Sequence, residues 1–152
     1  MAFDLRIIEA KLALKMIHPK EFPDLAVQAL EAGFDGPTIC EVAFLVRPSG
    51  YTTDLLRGRF MAETGLSDVD VPTAALRLAQ DMARSILRNA KNPLLFTKRF
   101  EHIWIAADYA SNIQCLGTLD DEVYIYFPPN SDQAREFVRE RLEAVANMPD
   151  AP

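Results

Sequence analysis

The sequence predicts an all-α fold, a single compact domain of about seven or eight helices packed as helical hairpins. In most of the chain, apolar residues recur every three or four positions, the spacing that places them on one face of a helix. Proline and glycine separate these stretches. No fixed-period repeat, low-complexity run or polar linker divides the 152 residues, so we expect one domain over 1–152, with a frayed tail at 148–152.

Local signals delimit four helices in the first half of the chain, at about residues 4–17, 21–33, 37–46 and 52–65. Gly33 and Gly65 end the second and fourth helices, because glycine readily adopts the left-handed conformation that closes a helix. Pro37 suits the first turn of the third helix, where no backbone N–H is needed. Thr52 or Thr53 can cap the fourth helix through its side-chain oxygen.

Four further helices are predicted in the second half, at about residues 72–91, 93–110, 119–127 and 131–147. The first of these is the most clearly amphipathic, with apolar residues on one face and arginines on the other. Asn92 and Pro93 provide the cap and first turn of the next helix. In that helix Phe96, Phe100 and Trp104 share one stripe, so we expect Trp104 to be mainly buried.

Residues 119–127 are compatible with two structures. Residues 123–127 are all β-branched or aromatic, which favours a strand. Thr118 and Asp121 have the spacing of a capping box, which favours a short helix. We choose the helix, because an isolated strand would have no pairing partner in an otherwise helical chain.

Composition and charge exclude several classes of protein. With 16 basic and 22 acidic residues, the net charge of -6 repels a phosphate backbone, so we expect no nucleic-acid partner. No stretch approaches the roughly 20 uncharged apolar residues of a membrane helix, and we expect a cytoplasmic protein without a membrane partner. The two histidines and two cysteines form no metal-binding motif, and nucleotide-binding and serine-hydrolase motifs are missing. We therefore expect neither a metal nor a cofactor, and the oligomeric state stays open.

The first group of candidate functional residues consists of acids and tyrosines in the predicted helix 119–127. Its members are Asp120, Asp121, Glu122, Tyr124 and Tyr126. Acids at a helix N-terminus stabilise the helix dipole, which is one explanation of the cluster. The functional interpretation is a protein-binding face, on which the carboxylates steer a basic partner and the tyrosines supply contact area.

The second group combines cations and hydroxyls around the start of the fourth helix. Its members are Arg47, Ser49, Tyr51, Thr52, Thr53, Arg57 and Arg59. Together with the free N–H groups of a helix N-terminus, these side chains can bind a small anion. The alternative is purely structural, with turn and cap residues and with arginines that pair with acids elsewhere.

Two functional hypotheses follow from these observations. The first, which we favour, is a small acidic cytoplasmic binding protein that is not an enzyme and that neutralises or regulates a basic protein partner. The second is an enzyme or carrier that acts on a small apolar or anionic ligand in a pocket between helices. We assign no catalytic residue. An acidic surface with exposed aromatics would favour the first hypothesis, and a cavity with convergent polar groups the second.

Overall fold

The computed structural model describes residues 3–152, and these residues are helical with no strand among them. The predicted all-α class is therefore confirmed. Nine α-helices lie in this part of the chain, and eight of them are longer than α7, which is a single turn of four residues. The chain divides into two compact units, one ending at Val69 and one beginning at Asp70. A single domain over the whole chain stays a prediction.

The first unit contains four helices. They are α1 (Leu5–Ala13), α2 (Phe22–Glu31), α3 (Pro37–Ala43) and α4 (Gly50–Thr64). Its core is a cluster of buried side chains from all four helices and the segment after α4: Ile8, Leu12, Phe22, Leu25, Ala26, Ala29, Ile39, Val42, Phe60, Met61 and Leu66. The predicted left-handed glycines are confirmed, with φ of 95° at Gly33 and 74° at Gly65. Pro37 is the first residue of α3, also as predicted.

Three helix boundaries in this unit differ from the prediction, the simplest case being α3, which ends at Ala43 and not near residue 46. Helix α1 ends at Ala13, because Lys15 adopts a left-handed φ of 55° and the Met16 N–H turns back to the Lys11 carbonyl at 2.8 Å. Helix α4 begins at Gly50, and its cap is Ser49, not Thr52 or Thr53. The Ser49 Oγ accepts a hydrogen bond from the Thr52 N–H at 3.2 Å, which places both threonines inside the first turn.

A carboxylate from α4 caps the start of α3. The Glu63 Oε1 accepts from the Thr38 N–H at 2.8 Å and from the Ile39 N–H at 3.5 Å. Gly36 leaves room for this contact, since a Cβ built there would lie 2.0 Å from the Glu63 Oε1. A negative charge at a helix N-terminus is favourable, so Glu63 ties the two helices together.

The second unit contains five helices. They are α5 (Val71–Arg88), α6 (Thr97–Ala106), α7 (Gln114–Gly117), α8 (Leu119–Tyr126) and α9 (Asp132–Ala146). The helical interpretation of residues 119–127 is thus confirmed, and the segment becomes extended at Phe127. Helix α9 begins where the sequence predicts, and Ser131 caps it, with the Ser131 Oγ 3.1 Å from the Ala134 N–H. The predicted start of α6 is wrong, because Asn92 caps a separate 3-10 turn at Pro93–Leu95 and α6 begins at Thr97.

The expected fraying of 148–152 is wrong, because side chains of α5 bind this segment. Gln80, which is only 2% exposed, donates from Nε2 to the carbonyls of Met148 and Pro149 at 3.3 and 3.1 Å. Its Oε1 accepts from the Ala151 N–H at 3.3 Å, and Ala151 is itself 2% exposed. Arg84 pairs with Asp150 at 2.7 Å. The end of the chain therefore lies against α5, with Ala151 as its one buried residue.

Trp104 is half-buried, so the prediction of a mainly buried side chain is only partly correct. Its ring meets the Tyr109 ring edge-on, with centroids 4.9 Å apart. It also covers Gly117, where an added Cβ would lie 2.3 Å from the indole. The tryptophan thus fixes the distance between α6 and α7.

Candidate functional site

Helix α8 is held at its beginning by buried and paired groups. Leu119 is fully buried, and α7 leads into α8 through Thr118, which is itself in a helical conformation. The predicted capping box is absent, because a helical Thr118 leaves no free helix N-terminus to cap. Its hydroxyl instead donates to the Gln114 carbonyl at 3.1 Å and contacts the Glu122 carboxylate at 3.2 Å.

The three predicted acids have different environments. The Asp120 carboxylate accepts from the Thr97 hydroxyl at 2.8 Å and lies 3.8 Å from the Lys98 ammonium. The Glu122 carboxylate lies 3.5 Å from the Arg141 guanidinium. Both acids are partly buried and connect α8 to its neighbours. Asp121 is exposed and has no hydrogen-bond or ion-pair partner within residues 3–152.

Beyond these acids, α8 exposes three large side chains in succession. Tyr124 is 88% exposed, Ile125 is 66% exposed and Tyr126 is 72% exposed. Asp121 lies three and four positions before Tyr124 and Ile125, so these side chains share one helix face. We call Asp121, Tyr124, Ile125 and Tyr126 the α8 patch.

A shallow groove begins directly after the patch. The Phe127 and Phe137 rings form part of its wall with their centroids 5.0 Å apart, and the Arg141 guanidinium stacks over Phe137 at 4.8 Å. The groove has a volume of about 600 Å³, and its lining residues are Phe127, Asp132, Gln133, Glu136, Phe137 and Glu140. Asp132 and Glu136 bind Arg135 and Arg139 of the same helix. Glu140 is exposed and unpaired within the described chain, so it adds a second uncompensated acid near the aromatics.

The predicted anion-binding residues do not form one site. Ser49 and Thr52 are engaged with each other at the α4 cap, where their hydroxyl oxygens lie 3.1 Å apart. Arg47, Tyr51 and Arg59 are exposed. Two of the predicted residues, Thr53 and Arg57, line the same cavity, which has a volume of about 260 Å³ and lies in the first unit.

That cavity has an apolar wall and three charged groups. Its lining residues are Leu12, Lys15, Ile17, Pro19, Phe22, Gly50, Thr53, Asp54 and Arg57. The Thr53 hydroxyl is already used, since it donates to the Gly50 carbonyl at 3.0 Å. Lys15 and Arg57 have no ion-pair partner in the described part of the chain.

The comparisons with known proteins add no relative. No family model matches the chain, and no curated protein or solved structure is significantly similar to it.

Two further observations concern metals and membranes. Within residues 3–152, no group of three His, Cys, Asp or Glu side chains is arranged to hold a metal ion. In the same range, no helix combines the length and apolarity needed to cross a bilayer.

Sequence reasoning missed several of these residues. Lys15 and Asp54 line the cavity, and Glu140 lies in the groove, yet none belongs to a recognisable motif. The available signal was indirect: two phenylalanines, Phe127 and Phe137, flank the Pro128–Pro129 break. A helix break brings two helices side by side, and aromatic side chains that meet across such a junction pack favourably.

Proposed function

We propose that this protein binds a basic protein partner through the α8 patch and the adjoining groove, and that it does so without catalysis. The observation that carries the proposal is the exposure of Tyr124, Ile125 and Tyr126 in succession on a well-formed helix. Single exposed apolar side chains are normal on a protein surface, whereas three large ones within one helical turn are less usual. Tyr124 and Tyr126 lie two positions apart and so point to different sides of α8, which means that a partner contacting both must enclose this end of the helix.

The contact area supports an anchoring role for the tyrosines. Burying one such side chain completely contributes about 1.5–3 kcal/mol, and tyrosine loses little conformational entropy when it is immobilised. Tyrosine is also one of the residues that most often dominate binding energy in interfaces. Tyr124 and Tyr126 are therefore the proposed anchors.

Charge supports a basic partner. Asp121 and Glu140 are acids without an intramolecular cation among the described residues, and the whole chain carries a net charge of -6. Uncompensated charge at the edge of an apolar patch accelerates the approach of an oppositely charged protein. Asp120 and Glu122, by contrast, are neutralised by Lys98 and Arg141 and serve α8 itself.

Affinity capture from the native source tests this proposal with matched variants. Tyr124→Ser/Tyr126→Ser removes both anchors, whereas Tyr51→Ser removes a tyrosine that is 74% exposed and lies on α4. We expect the wild type and Tyr51→Ser to retain the same basic protein and the double variant to lose it. The proposal is wrong if no captured protein depends on the two tyrosines, or if the protein that does is acidic.

A further inference from the structure

The cavity of the first unit has the features of a binding site for a small amphiphilic anion. Leu12 and Phe22 contribute buried apolar wall, at 3% and 7% exposure, and Ile17 continues it. We propose that this cavity binds a monoanion with a short aliphatic tail, such as a medium-chain carboxylate. This proposal is independent of the α8 patch, because every lining residue precedes Asp70.

The charged groups that line the cavity indicate that the ligand carries a single negative charge. Arg57 is half-buried, Lys15 is exposed, and neither has an ion-pair partner within residues 3–152. Among the lining residues Asp54 is the one acid, so the cavity carries one excess positive charge. A guanidinium presents two parallel N–H groups to a carboxylate, which makes Arg57 the residue that holds the head group.

The size of the cavity favours a short tail. The cavity has a volume of about 260 Å³ and is partly open to solvent, so it suits a small ligand and not a long chain. Hexanoate, which joins one carboxylate to a short aliphatic tail, is therefore the probe for this site. The Thr53 hydroxyl already donates to the Gly50 carbonyl, so it does not donate to the ligand. The remaining wall is mostly apolar and contacts the tail.

The test titrates hexanoate, and separately hexan-1-ol, into the full chain while NMR follows the methyl groups of Leu12 and Ile17. We expect saturable shifts of these methyls with hexanoate and binding weaker by about tenfold or more with the uncharged alcohol, which cannot pair with Arg57. Equal binding of acid and alcohol overturns the anion specificity. No saturable shift with hexanoate overturns the site.

Two pairs of variants test separately how the head group and the tail of the ligand contribute to binding. Arg57→Gln should lose at least about tenfold in hexanoate affinity, whereas Arg59→Gln, on the same helix but outside the cavity, should bind like the wild type. Gly50→Leu should fill the cavity and abolish binding, since a Cβ at Gly50 meets nothing closer than the Pro19 ring at 3.8 Å. Gly58→Leu is its control, because a Cβ there meets no atom within 4 Å. Folding is checked by circular dichroism, and unchanged binding by folded Arg57→Gln or Gly50→Leu contradicts the proposal.

Discussion

Asp120, Asp121 and Glu122 are adjacent in the chain and alike in chemistry, yet they have different roles. Asp120 and Glu122 each reach a cation on another helix, so removing either one weakens the attachment of α8. Asp121 faces solvent without such a partner among the described residues. Only the middle residue is therefore available to a second protein.

We predict that Asp121→Asn slows association with the basic partner several-fold at low salt and leaves stability almost unchanged. An exposed charge contributes to long-range attraction, and salt screens that attraction over about 8–10 Å. Stopped-flow association rates at two ionic strengths measure the effect. The association rate of Asp121→Asn should differ less from that of the wild type at high salt than at low salt. Equal rates for the two proteins at both salt concentrations would exclude steering by Asp121.

Gly117 is a second residue whose role follows from one contact. An added methyl group would lie 2.3 Å from the Trp104 ring, so we predict that Gly117→Ala lowers the free energy of unfolding by about 1–3 kcal/mol. Gly58→Ala is the control: its Cβ meets nothing within 4 Å, and the helix should gain up to about 1 kcal/mol. Urea denaturation of both variants provides the measurement. A Gly117→Ala protein as stable as wild type would show that Trp104 does not hold α7 in place.

Several helices end in the same way but with different residues in the left-handed position. After α2 this residue is Gly33, and after α5 it is Ala90, with a φ of 49°. In both cases the next N–H turns back to the last full turn: Phe34 to the Ala29 carbonyl at 3.0 Å, and Lys91 to the Ile86 carbonyl at 3.1 Å. This backbone motif favours glycine, so the alanine is strained.

Exchanging the two residue types should therefore have opposite effects. Ala90→Gly should raise the free energy of unfolding by about 0.5–1 kcal/mol, and Gly33→Ala should lower it by about 1 kcal/mol. The space around Gly33 is open within 4 Å of the added Cβ, so only the backbone conformation contributes to its loss. Thermal and urea denaturation measure both shifts. A change of the same sign in both variants would contradict this explanation.

The contact between α5 and the end of the chain can be tested through Gln80. Gln80→Leu removes the group that bonds to the Met148 and Pro149 carbonyls and to the Ala151 N–H. We predict that the Ala151 amide, protected in the wild type, then exchanges its hydrogen much faster. Gln133→Leu, at an exposed position of α9, should leave that exchange rate as it is. Equal protection in Gln80→Leu would mean that the segment is held by other groups.

The helical elements could be predicted from sequence because their signals are local. Glycine at a C-terminus, proline in a first turn and apolar spacing of three or four each involve only a few neighbouring residues. The contacts that were missed join distant positions: Glu63 caps Thr38 from 25 residues away, and Gln80 binds Ala151 from 71 residues away. No local pattern encodes such a pair, which is why the tail was expected to fray.

In the candidate sites, too, the sequence identified individual residues but not the contacts between distant ones. The sequence identified Asp121, Tyr124 and Tyr126, but it could not show that Asp120 and Glu122 are paired within the protein. It grouped Thr53 and Arg57 with the other hydroxyls and cations around the start of α4, whereas the cavity also includes Lys15 from the segment after α1. Which side chains of a helix remain exposed depends on packing against other helices, and periodicity alone does not reveal it.

The molecule as a whole is acidic, and α8 is one of several places where it exposes large apolar side chains. A net charge of -6 gives long-range attraction for any basic protein, but this attraction alone has no orientation. The exposed Tyr124 and Tyr126 would supply the short-range contact that fixes one binding geometry. For the α8 patch to act in this way, a basic partner must approach this part of the surface closely.

Site-specific photo-cross-linking in the native source tests that requirement most directly. A p-benzoylphenylalanine placed at Tyr124 reports proteins that touch the α8 patch, and the same group at Tyr51 reports proteins that touch another exposed tyrosine, on α4. We expect one basic protein to be cross-linked from position 124, absent from position 51 and reduced when Asp121→Asn is added. The same adducts from both positions, an acidic adduct from position 124, or no protein adduct there would contradict it.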